Sequence, residues 1–71
     1  MTAKEKASEL VHQYRMLFMN EGEDYGEEIL VSILSEKCAL ITVYEILSIV
    51  WHSPEDVTYW EQVKEEILKL S

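Results

Sequence analysis

The sequence predicts an all-α fold: a small three-helix bundle with a long, strongly apolar central helix. Three observations carry that prediction. Apolar residues recur at spacings of three and four along three separate stretches. Gly22, Gly26 and the lone Pro54 are the strong breakers, and they divide the chain into three pieces. The connections left over, seven residues and about two, are short enough to return each helix alongside the last. The expected helices cover residues 3–19, 27–51 and 54–70 of a single helical domain spanning 1–71.

The first helix starts at a capping box, Thr2 with Glu5, in which each side chain satisfies a free backbone N–H of the first turn. Ala3, Ala7, Leu10, Val11, Tyr14, Leu17 and Phe18 then form one apolar stripe. Asn20 to Gly26 reads as a loop, because two glycines and crowded acids disfavour helix continuation.

In the second helix Ile29, Ile33, Leu40, Val43, Tyr44, Leu47 and Trp51 share a face at about 100° per residue, and that face is expected to point inward. Glu36 falls in its middle, which predicts either a nearby helix end or a break capped by Ser35. From Ala39 to Trp51 the segment is apolar on almost every side, as in a helix buried all round. The third helix has the clearest start. Ser53-Pro54-Glu55-Asp56 places an N-cap, a proline at the first helical position and acids at the positive helix end. Val57, Tyr59, Trp60, Val63, Ile67 and Leu70 form its face.

Composition narrows the function classes. An apolar share of 48% is that of a folded domain rather than a disordered chain. Fourteen acidic against six basic residues give a net charge of −8, which argues against nucleic acid and against an anionic membrane surface as partners. Cys38 is the lone cysteine, so no internal disulfide forms. No secretory h-region follows Met1, and Glu36, Lys37 and Glu45 interrupt the longest apolar region. A soluble, cytoplasmic protein is expected.

Three short runs carry a family resemblance. They are Lys4-Glu5-Lys6-Ala7 with Glu9-Leu10-Val11, then Lys37-Cys38-Ala39-Leu40-Ile41 with Val43 and Glu45-Ile46-Leu47, and finally Tyr59-Trp60 with Glu61, Val63-Lys64 and Glu66-Ile67. Together they resemble a set of short, uncharacterised proteins encoded in genomes, prophages and phages of Bacteroidetes bacteria. That resemblance implies a genomic context and no catalytic residue.

No motif for catalysis, cofactor binding or metal ligation stands out. His12 and His52 fit no Ser/His/Asp arrangement, and no glycine-rich phosphate loop is present. Glu21, Glu23, Asp24, Glu27 and Glu28 form an acidic patch, but an EF-hand register fails at Tyr25 and Ser32. Cys38, inside an apolar helix, reads as a small hydrophobe. A partner surface is the remaining class. His12, Met16 and Met19 lie opposite the stripe of the first helix, and exposed methionines suit adaptable contacts. Ile41, Ile49 and Trp51 extend the apolar circumference of the second helix beyond what two short neighbours can cover. With one small core and no staple, a homo-oligomer, preferably a dimer, or an unidentified protein partner is expected. The alternative is charge matching: Glu55, Glu61, Glu65, Glu66 and the acidic patch imitating phosphates, as in a phage-type DNA mimic or inhibitor of a host nuclease or defence protein.

Overall fold

A computed structural model describes residues 1–21 and 28–70 and shows the all-α bundle. Its described elements are α1 (Ala3–Glu21), α2 (Glu28–Val50) and α3 (Pro54–Lys69), each packed against the other two. The bundle is elongated, 42 × 20 × 17 Å, because α2 alone is about 35 Å long at 1.5 Å per residue. No helix among the described residues is long and apolar enough to cross a membrane.

The capping box of α1 is present. The Thr2 N–H donates to Glu5 Oε1 at 3.0 Å, and the Glu5 N–H donates to Thr2 Oγ1 at 3.1 Å. Bonding to the Thr2 backbone and hydroxyl holds the Glu5 carboxyl below the usual carboxylate range. At α3 the expected cap is only half realised. Ser53 is extended (φ −116°, ψ 100°) and precedes Pro54, but its hydroxyl makes no capping bond. Its carbonyl instead accepts the Val57 N–H at 2.9 Å, and its N–H closes the turn onto the Val50 carbonyl at 2.8 Å. Pro54 at the start of the helix lacks an N–H that would otherwise need a partner. The helix ends at Lys69, where the Leu70 N–H turns back to the Ile67 carbonyl at 3.0 Å.

The core differs from the expected one on α2. Its buried row is Val31, Ser35, Ala39 and Val43, one residue per turn along an i, i+4 line. Ile33 and Tyr44, expected to face inward, are exposed, as is Trp51, expected both on that face and among the outward apolar residues. Leu40 and Leu47 are half-buried, and the Ile29 side chain lies outside the described residues. The reason is size. Ala39 and Val43, both compact, meet Ala7, Leu10 and Val11 of α1 and Val63 and Ile67 of α3 in one cluster, and Val31 and Ser35 continue the buried row beyond it. The helix does not break at Ser35: α2 is continuous, and the buried Ser35 hydroxyl donates to the Val31 carbonyl at 2.7 Å. With the core on this row, Glu36 sits half-buried at its edge rather than in its middle.

The other helices contribute Ala7, Leu10 and Val11 from α1 and Val63 and Ile67 from α3, with Ala3, Tyr14, Tyr59 and Trp60 packed around them. Leu17 and Leu70, both assigned to inward stripes, are exposed near their helix ends. A polar link ties α1 to α2. The Thr42 hydroxyl donates to the Cys38 carbonyl at 3.0 Å, so its oxygen accepts the Tyr14 O–H at 2.6 Å.

Candidate interaction surface

The distribution of side-chain size is inverted relative to an ordinary core. Among the described residues eight hydrophobic side chains are buried, two alanines and four valines among them, and Ile67 is the largest of those buried completely. Outside lie Met16, Leu17, Met19, Leu30, Ile33, Ile41, Tyr44, Ile49, Trp51, Leu68 and Leu70. Neither tryptophan is buried; Trp51, in the turn after α2, is 74% exposed and meets His52 edge-on at 5.9 Å. Large apolar side chains grouped on one exposed face are candidates for contact with a partner.

The sequence-predicted surface residues fall on two faces. His12, Met16 and Met19 are exposed on α1, opposite Ala7, Leu10 and Val11. Ile41 and Ile49 are 61% and 67% exposed on α2. His12 lines an open groove of about 830 Å³ between α1 and α2, together with Ser8, Arg15, Ser32 and Glu36. Ile41 stands half a turn around α2 from Ser32, so it points away from that groove. The two sets are therefore separate patches.

The second patch is larger than the sequence reading made it. Leu30, Ile33 and Tyr44 join Ile41 on the outer side of α2. For Ile33 the signal is the small-residue row: Val31, Ser35, Ala39 and Val43 repeat at four, and the row two residues out of step, which holds Ile33 and Ile41, lies about 200° away.

The groove has mixed electrostatics. Lys4 and Arg15 face Glu5, Glu9 and Glu36, and Glu9 already pairs with Lys6 at 2.8 Å. It presents no field of one sign. On α3, Glu61 pairs with Lys64 at 3.0 Å and Glu66 with Lys69 at 3.1 Å. The hydrogen bond to Glu61, and then its charge, raise the Lys64 ammonium above its ordinary range. These i, i+3 pairs neutralise part of the acidic exterior. Of the acidic patch, Glu23, Asp24 and Glu27 lie outside the described residues, while Glu21 closes α1 and Glu28 opens α2. Among the described residues no three His, Cys, Asp or Glu side chains come together as metal ligands. Cys38 is a free, half-buried thiol.

No family model matches the chain, and no curated protein or solved structure is significantly similar to it.

Proposed function

We propose that the chain is a cytoplasmic, self-assembling interaction module whose partner covers the outer face of α2, a second copy being the preferred partner. One observation carries this reading: large apolar side chains line the outside of α2 while small ones fill its inside. Covering Ile33, Ile41 and Tyr44 removes them from water at roughly 25 cal/mol per Å² of apolar area. The resemblance to short phage and prophage proteins is compatible with an accessory role. The charge-mimicry alternative draws less support, since Lys64 and Lys69 interrupt the acidic face of α3.

Light scattering over a dilution series tests the proposal by face. Ile41→Lys is expected to abolish association and to leave helix content unchanged, whereas Met16→Lys with Met19→Lys on the other patch should not weaken it. Association that survives Ile41→Lys and fails with the methionine pair would move the interface to α1.

A further inference from the structure

We propose that two copies of the chain pair antiparallel along the outer row of α2, about a two-fold axis beside Ile41. The proposal rests on the self-association reading and gives it an orientation and a register. Ile33, Lys37, Ile41, Glu45 and Ile49 form one i, i+4 row whose members are all exposed; it winds by about 40° per step, so Lys37, Ile41 and Glu45 share a face and the outer isoleucines flank it on either side. The line has a chemical symmetry: an isoleucine at the centre, opposite charges one turn to either side, and isoleucines two turns out. Antiparallel pairing about Ile41 sets Lys37 against the partner's Glu45 and, by symmetry, Glu45 against the partner's Lys37. Parallel pairing in register sets lysine on lysine and glutamate on glutamate, which is repulsive.

Two further facts favour a second copy as the occupant. Lys37 is the only cation in α2, and Glu45, eight residues on, is about 12 Å away along the axis, too far to pair with it in one helix. Each charge is thus left for an outside partner, and the row itself supplies the matching one. The chain carries −8 overall, yet from Lys37 to Ser53 its charges are Lys37 and Glu45 alone. Two acidic molecules meet here with the least repulsion, across a charge-depleted centre of the kind that interfaces have.

Charge exchange and cross-linking test the register. Lys37→Glu and Glu45→Lys should each weaken self-association by roughly tenfold, because each turns two attractive pairs into repulsive ones. An equimolar mixture of the two variants should recover it as a heterodimer, since the two-fold then places glutamates of one chain against lysines of the other. In a Cys38→Ser background, Ile41→Cys should form a disulfide-linked dimer under mild oxidation, because the residue at the axis faces its own copy. Weakening in both variants without recovery in the mixture overturns the register. A wild-type dimer indifferent to both charge reversals and to the Ile41→Cys cross-link also overturns it, and leaves self-association standing. A wild type that stays monomeric at all concentrations overturns both.

Discussion

Three hydroxyl groups fix where α1 begins and how it meets α2. Thr2 and Glu5 exchange backbone hydrogen bonds at the start of α1, so Thr2→Ala should cost about 1 kcal/mol of stability in urea unfolding. The Glu5 carboxyl is held below its ordinary range, so its contribution is present above that range and is lost as pH falls through the lowered value. Glu5→Gln should remove this part of the acid-side loss; an unchanged acid limb in the variant would assign the loss to other carboxylates. Tyr14, Thr42 and the Cys38 carbonyl form one relay between α1 and α2. Tyr14→Phe and Thr42→Val should each cost about 1 kcal/mol, and the double variant little more than either, because they remove one shared bond. Strict additivity in the double-mutant cycle would show that the hydroxyls act independently.

At the scale of the element, α2 holds both surfaces: an inner row of small residues and an outer row of large ones. Ser35→Ala should change stability by less than about 0.5 kcal/mol, since the Val31 carbonyl keeps its helical partner and alanine is the better helix former. Ala39→Leu should destabilise by about 1 to 3 kcal/mol through overpacking where three helices meet. Equal tolerance of both substitutions in thermal unfolding would mean the row is not closely packed. The same helix shows what was legible in the sequence. The three helices, the capping box and Pro54 follow from local rules, and the structure places them within two residues. The inward face of α2 did not, because a segment apolar nearly all round gives periodicity no contrast to act on. There the choice falls to size, and the small Ser35 and Ala39 take the buried row. Leu17 and Leu70 lie near helix ends and both are exposed, Leu70 at the rim of the groove beside Lys4, Ser8 and Val11.

For the whole molecule, small size and strong negative charge act in opposite directions. A core built from alanines and valines leaves much apolar area uncovered, which favours association, while −8 per copy opposes it everywhere except along the near-neutral outer side of α2. In the proposed dimer the same charge leaves the outer side of α2 as the face where two copies meet with the least repulsion. Equilibrium sedimentation of the wild type beside Ile41→Lys, from low to high micromolar concentration, tests this most directly. The account predicts that the wild-type mass rises reversibly from 8.3 kDa toward twice that value, with Ile41→Lys remaining at the lower one. A wild type that sediments at 8.3 kDa throughout would contradict it.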